Sequence, residues 1–300
     1  MMKMKRTQLI LIALIGLIVI SSCKKDNDPE PATMKSITLN LTGLEDLGSD
    51  FVYEGWLIVN GAPVSSGTFM VDDMGALSKT SFELSATDVD NATKFVLSIE
   101  PKSDSDPAPS ATKILAGDFS GNAASVNIAP VGDFMSAAGK YILATPTNGA
   151  DTDEKSGIWF LDLATGAPTV GLTLPTLPEG WKYEGWVVIN GQPVTTGKFT
   201  NTSATDEAAP FSSSEPLPDV NGANGFFPGE DFLLNAPSGL TFPTDIAGGT
   251  AVISIEPVPD NSPGPFTLKP LVHAIPASAT DHMVYDMGQN LSFPMGTVSR

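Results

Sequence analysis

The chain repeats itself, and whatever it folds into has to be built twice. The segment Tyr53-Glu54-Gly55-Trp56-Leu57-Ile58-Val59-Asn60-Gly61-Ala62-Pro63-Val64-Ser65-Ser66-Gly67-Thr68-Phe69 aligns without a gap with residues 183–199, and ten of these 17 positions are identical. Most of the others exchange like for like, as Leu57 does with Val187 and Ser65 with Thr195. A second block, residues 98–115, aligns with residues 254–271. It shares Ser-Ile-Glu-Pro, Asp104/Asp260, Pro107/Pro263, Pro109/Pro265, Lys113/Lys269 and Leu115/Leu271. The blocks keep their order, as a tandem duplication requires. A length of 300 residues is enough for two modules that each bury a core.

The copies differ in length between the blocks. From Tyr53 to Ser98 is 45 positions and from Tyr183 to Ser254 is 71, so the second copy carries 26 more residues, placed within residues 201–239. Both copies read as β. Residues 51–59 are rich in aromatic and β-branched side chains and run into Asn60-Gly61, the strongest short hairpin signal. Residues 94–99 and 249–255 are short apolar runs closed by Glu-Pro, where a ladder loses its donor. Residues 141–145 and 157–161 flank a polar turn, as the arms of a hairpin do. With 28 Gly and 25 Pro interrupting nearly every long helical candidate outside the N-terminal apolar run, the expected fold is all-β. Two tandem homologous β-sandwich-like domains are expected, over residues 35–139 and 140–300.

The N-terminus addresses the chain. Lys3, Lys5 and Arg6 precede an apolar run over residues 9–20, which is 12 residues long. A membrane span needs about 20, so the run reads as the h-region of a secretory signal over residues 1–22. Ile20-Ser21-Ser22-Cys23 follows, and Cys23 is the only cysteine in the chain. This resembles the lipobox of bacterial lipoproteins, in which the thiol is acylated and becomes the mature N-terminus. Cleavage leaves 13 basic against 34 acidic residues, a net charge of −21. Acyl chains rather than charge would then hold the chain to an anionic bilayer. Residues 23–34 carry Lys25-Asp26-Asn27-Asp28-Pro29-Glu30-Pro31 and read as a solvated tether. The stretch also resembles the short charged signals that send lipoproteins to the outer face of the outer membrane, and a plain spacer fits equally well. The expected location is extracytoplasmic, at a bacterial outer membrane, with the periplasmic or cell-surface face left open. So acidic a chain repels nucleic acid phosphates.

The duplicated blocks also resemble a family. Tyr-Glu-Gly-Trp, two hydrophobic residues, Asn-Gly-x-Pro-Val-x-x-Gly-x-Phe, then Ser-Ile-Glu-Pro and a Pro-rich stretch are similar to the C-terminal domain of anti-sigma-K factors. The resemblance implies a mostly β, extracytoplasmic domain. In that family it follows a transmembrane helix and a cytoplasmic helical domain that holds a sigma factor inactive. Only eight residues precede the apolar run here, so the ectodomain is what carries over, without direct sigma-factor sequestration.

Chemistry-bearing residues are sparse. Glu54 and Glu184 share a strand face with Trp56 and Trp186 by the period of two. A carboxylate beside an indole can act as an acid when its pKa is raised, but duplication of the whole strand favours a structural role. Glu100 with Asp104, and Glu256 with Asp260, set carboxylates four apart on Pro-interrupted loops, where Ca²⁺ is conceivable and a solvated turn commoner. The insertion offers Asp219, Asn221, Glu230 and Asp231 as weak Ca²⁺ candidates. It fails the EF-hand pattern, because Ala223 and Asn224 stand where Asp/Asn and Gly are required. His273 and His282 lack partners of metal or triad type, and Asp281-His282 reads as a surface pair. Trp159 and Trp181 are the freer indoles and the candidates for ligand contact. No catalytic, cofactor-binding or metal constellation is expected beyond these. The expectation is a non-enzymatic lipoprotein that binds or senses a protein or glycan partner. The alternative is a glycan-binding accessory of an outer-membrane uptake system, and two copies suit bivalent contact.

Overall fold

A computed structural model describes residues 33–149, 151–213, 227–260 and 262–300. Cys23, the signal and the tether up to residue 32, together with Asp219 and Asn221, lie outside the described residues. The first run of strands is β1 (Met34–Thr42), β2 (Phe51–Val59), β3 (Ala62–Phe69), β4 (Ser81–Ser85), β5 (Ala92–Pro101), β6 (Lys113–Ser120) and β7 (Ala123–Val126). A six-residue helix, α1 (Ala86–Asn91), links β4 to β5. The second run is β8 (Ala138–Leu143), β9 (Gly157–Trp159), β10 (Leu161–Asp162), β11 (Thr169–Val170), β12 (Leu172–Thr173), β13 (Trp181–Ile189), β14 (Gln192–Phe199), β15 (Gly229–Asp231), β16 (Thr250–Pro257), β17 (Leu271–Ala274), β18 (Tyr285–Gln289) and β19 (Met295–Ser299). The all-β expectation holds.

Local rules explain the central hairpins. Asn60 and Gly61 take φ of 51° and 82°, and Asn190 and Gly191 take 52° and 83°. Both residues of each turn are therefore left-handed, the geometry that Asn-Gly accepts and that matches the twist of the flanking strands. One extra residue then bulges out of the third strand, Ser66 in β3 and Thr196 in β14, opposite the Gly55/Trp56 and Gly185/Trp186 steps. The strands closed by Glu-Pro end at Pro101 and Pro257. The hairpin expected around residues 141–161 forms as β8 against β9, with Ile142 opposite Trp159.

The strands assemble into two large antiparallel sheets. The first runs β3-β2-β5-β6-β7-β19-β1-β4, and the second β14-β13-β16-β17-β18-β8-β9-β15, with β12 also on β8. Place by place the orders correspond, with β1 matched by β9, β4 by β15 and β19 by β8. The first sheet curls until its two edges meet, with the Phe69 and Phe82 rings 6.2 Å apart. Inward residues of both sheets, Tyr53, Leu57, Phe95, Leu97, Tyr183, Val187, Ile253 and Ile255 among them, share one continuous apolar core.

This correspondence contains an exchange. β8 follows β7 along the chain but pairs with β18 in the second sheet. β19 follows β18 but lies between β7 and β1 in the first. Counted by this correspondence the two copies are β1–β8 and β9–β19, and each lends its last strand to the other's sheet. The registers agree: Gly139 faces Met287 and Gly296 faces Val126. A Cβ on Gly296 would stand 2.1 Å from the Asn40 carbonyl oxygen, so only glycine lets β19 approach β1 so closely. The division expected at residues 139/140 therefore falls inside β8, and the first sheet takes its sixth strand from the far end of the chain. Short strands dock where an edge is open, whatever their order in sequence.

Candidate functional site

The outer face of each sheet carries a network built from the duplicated blocks. Glu54 pairs across the ladder with Ser98 and Val52 with Glu100. The period of two therefore puts Glu54, Trp56, Ser98 and Glu100 on one face. The Trp56 Nε1–H donates to Ser98 Oγ over 2.8 Å, and the Ser98 hydroxyl donates to Glu100 Oε1. The backbone N–H of Ser110 also donates to Glu100 Oε1, over 2.8 Å, and Ser65 Oγ donates to Glu54. The second sheet repeats each contact. Trp186 donates to Ser254 over 2.8 Å, Ser254 to Glu256, Phe266 N–H to Glu256 over 2.9 Å, and Thr195 to Glu184 over 2.5 Å.

The surroundings of the two networks differ. In the second sheet the carboxylate oxygens of Glu184, Glu256 and Asp260 lie within 4.8 Å of one another. The Lys198 ammonium sits among them, 2.9 Å from Asp260 and 3.8 Å from Glu184. Burial pushes the Glu256 carboxyl up to about 8 and raises that of Glu184. Burial alone would lower the Lys198 pKa, but the hydrogen bond to Asp260 and the Glu184 charge hold it above its ordinary value. Oε2 of both Glu184 and Glu256 is buried without a hydrogen bond.

In the first sheet the residue opposite Glu54 is Thr68, where Lys198 faces Glu184. Glu54, Thr68, Glu100 and Asp104 line an open pocket of about 360 Å³, with Val52 and Met70 beside them. Glu100 is buried, Glu54 is partly so, and Asp104 is exposed. Burial raises the Glu54 pKa, and the negative charges of Glu100 and Asp104 add to the effect.

The indole candidates do not reach a surface. Trp159 is 1 % exposed and donates to Asp231 Oδ1 over 2.9 Å; Trp181 is 3 % exposed and packs against Phe266. Both are corrected from candidate ligand contacts to interior rings, because β13 turns Trp181 into the shared core and Trp159 packs in a second apolar cluster with Ile142, Leu161 and Phe227. Glu230 and Asp231 lie on β15 and are fully buried. Ser212 and the Asp231 N–H donate to Glu230, and Thr147 and Trp159 donate to Asp231. Interior hydrogen bonds use these carboxyls, so neither lies on an exposed ion-binding loop. Burial sets Glu230 at about 8 and Asp231 at about 6. His273 bonds through Nδ1 to the Tyr141 hydroxyl over 2.8 Å, a partner not evident from sequence, and His282 pairs with Asp281 at the surface over 3.0 Å.

The convergence of Glu54 with Glu100 and Asp104, and of their counterparts, is what reading each pair separately misses. The signal that finds it is the strand register: two carboxylates an even number of places from a paired Ser share a face.

Residues 30–113 match the family model described as anti-sigma-K factor rskA, C-terminal. The match spans β1 through β5 and takes in Glu54, Glu100 and Asp104. No curated protein and no solved structure gives a significant match to the chain.

Proposed function

We propose that this chain is a non-enzymatic, lipid-anchored extracytoplasmic protein whose two sheets are copies of an anti-sigma-K C-terminal-type domain, used to bind or sense a partner. The observation that carries this reading is the family match over residues 30–113. The second sheet supports it by reproducing the strand order and the Trp–Ser–Glu network of the matched one. The unique Cys23 behind an apolar run supports the anchor. No helix among the described residues is long and apolar enough to cross a membrane. The glycan-binding alternative loses the two indoles it relied on, since Trp159 and Trp181 are interior.

The anchor is tested by Cys23→Ala. The wild-type chain takes up labelled palmitate and sediments with membranes; the variant does neither. Equal processing and sedimentation of the two would overturn the anchoring. The binding role is tested by crosslinking the ectodomain in its native envelope: a discrete partner supports it. Turnover of a glycan, peptide or ester that is abolished by Glu54→Gln would replace it with an enzymatic role.

A further inference from the structure

Each buried glutamate of the second sheet's cluster spends one oxygen and keeps the other. Glu184 Oε1 accepts from Thr195 over 2.5 Å. Glu256 Oε1 accepts from Ser254 Oγ and, over 2.9 Å, from the Phe266 N–H. Glu184 Oε2 and Glu256 Oε2 are buried without a hydrogen-bond donor, in residues that are only 4 % and 0 % exposed. Buried polar atoms are nearly always satisfied, so this pair of oxygens asks for an occupant. Oxygens of Glu184, Glu256 and Asp260 converge to within 4.8 Å of one another. The Lys198 ammonium leaves the demand unmet, since it lies 2.9 Å from Asp260 Oδ2 but 3.8 Å from Glu184 Oε2, beyond hydrogen-bond range. Lys269, whose charge also acts on Glu256, is set against Glu45. Ionised, the three carboxylates exceed the one ammonium among them by two charges. The first sheet lacks both features. Among the described residues Glu54, Glu100 and Asp104 form no such convergence, and no buried oxygen of Glu54 or Glu100 is without a donor.

We propose that Glu184, Glu256 and Asp260 form a binding site for a hard divalent cation, present in the second sheet and not in the first. All three donors are carboxylates, with no imidazole or thiolate among them, which selects calcium or magnesium over softer metals. Calcium, at about 2.3–2.6 Å from its oxygens, bridges donors that stand up to about 5 Å apart, so the convergence needs no rearrangement of the sheet. Thr195, Ser254 and the Phe266 N–H are positioning groups. Bonded to the Oε1 atoms, they fix each carboxylate and leave Oε2 for the ion. Lys198 is the competitor. Its side chain is 31 % exposed, so the ammonium withdraws to solvent as the ion enters, and water from that side completes the shell. The inference stands apart from the role proposed above, which concerns a partner rather than an ion.

The full mature chain, stripped with EDTA and exchanged into chelator-free buffer, tests this by calorimetric titration with calcium chloride and with magnesium chloride. The wild type binds one equivalent, and the tighter of the two names the ion. Asp260→Asn weakens binding by about tenfold or more. Lys198→Gln tightens it by about threefold, because a competing positive charge is gone. That variant leaves the buried glutamates untouched, and a cluster built only as an ion pair would not gain affinity from it. Terbium chloride reports the place through emission excited by tryptophan, since Trp186 donates to Ser254 over 2.8 Å and Ser254 to Glu256. The emission is lost in Trp186→Phe and kept in Trp56→Phe, its first-sheet counterpart. Absence of saturable binding by about 10 mM ion would overturn the proposal. So would indifference of binding to Asp260→Asn, unchanged or weaker binding in Lys198→Gln, or terbium emission that follows Trp56 in place of Trp186. None of these outcomes touches palmitate uptake or partner crosslinking, so the broader role stands or falls separately.

Discussion

Glu54 and Glu184 occupy the same place in two matching sheets, yet Glu54 is partly exposed opposite Thr68 while Glu184 is buried opposite Lys198. The difference extends outward. Between its third and fifth strands the first sheet has β4 and the short helix α1; the second has a longer segment that brings in the half-buried Asp206 and the buried Glu230 and Asp231. The hydrogen-bonded relays from tryptophan to serine to glutamate are the same in both. A sheet and its relay therefore tolerate very different electrostatic settings around them, and here one setting is open and the other closed.

The comparison can be broken most severely at the exchanged strand. Removing residues 295–300 takes β19 from between β7 and β1 and leaves both ladders unpaired. A loss of about 4 kcal/mol or more is expected, from the buried Val298 and the lost pairing. Amide exchange reads it: protection falls in β1 and β7 and persists in β8, β13 and β16. Uniform loss across both sheets would show that they unfold as one unit.

Proton linkage comes next and should separate the two sheets. Glu256, Glu230 and Asp206 are raised by burial to about 8, far above the ordinary carboxylate range they recover on unfolding. Stability from these neutral carboxyls is complete below the unfolded value and is lost as pH rises through about 8. The second sheet is thus more stable at pH 5 than at pH 9. Glu256→Gln is expected to flatten that slope in thermal melts, whereas Asp104→Asn in the first sheet leaves it unchanged.

Smaller effects should sharpen the likeness. Trp56→Phe and Trp186→Phe each remove a buried hydrogen bond to serine and some packing, costing about 2 kcal/mol apiece in urea titrations. Smaller still, Gly61→Ala and Gly191→Ala force a Cβ into φ near 82° and cost about 1 kcal/mol each. Unequal costs within either pair would show that equivalent positions are not equally loaded.

The hairpins, the strand ends at Glu-Pro and the repeated modules are legible in the chain, because short-range chemistry governs them: Asn-Gly turns, missing proline donors, alternation by two. The exchange of β8 and β19 is not. The strands are short, and beyond Gly139 and Gly296 their sequences share nothing that marks a common place. The carboxylate cluster is half legible. Its members stand out in pairs, but their meeting depends on which residue of β5 faces which residue of β2, and composition carries no information about that. The misassigned indoles fail for a similar reason, since the rings that pack with them, Phe227 beside Trp159 and Phe266 beside Trp181, lie far away in sequence.

The placement of β1 also has a mechanical meaning. It lies between β4 and β19, antiparallel to both, with residues 34–38 held by β4 and residues 38–42 by β19. A pull applied at Met34 runs along the strand and across its hydrogen bonds, so it loads them together in shear rather than peeling them one by one. Part of that load passes to β19, which is joined through the backbone to β18 in the other sheet. Tension arriving at Met34 is therefore divided between both sheets from the first strand onward.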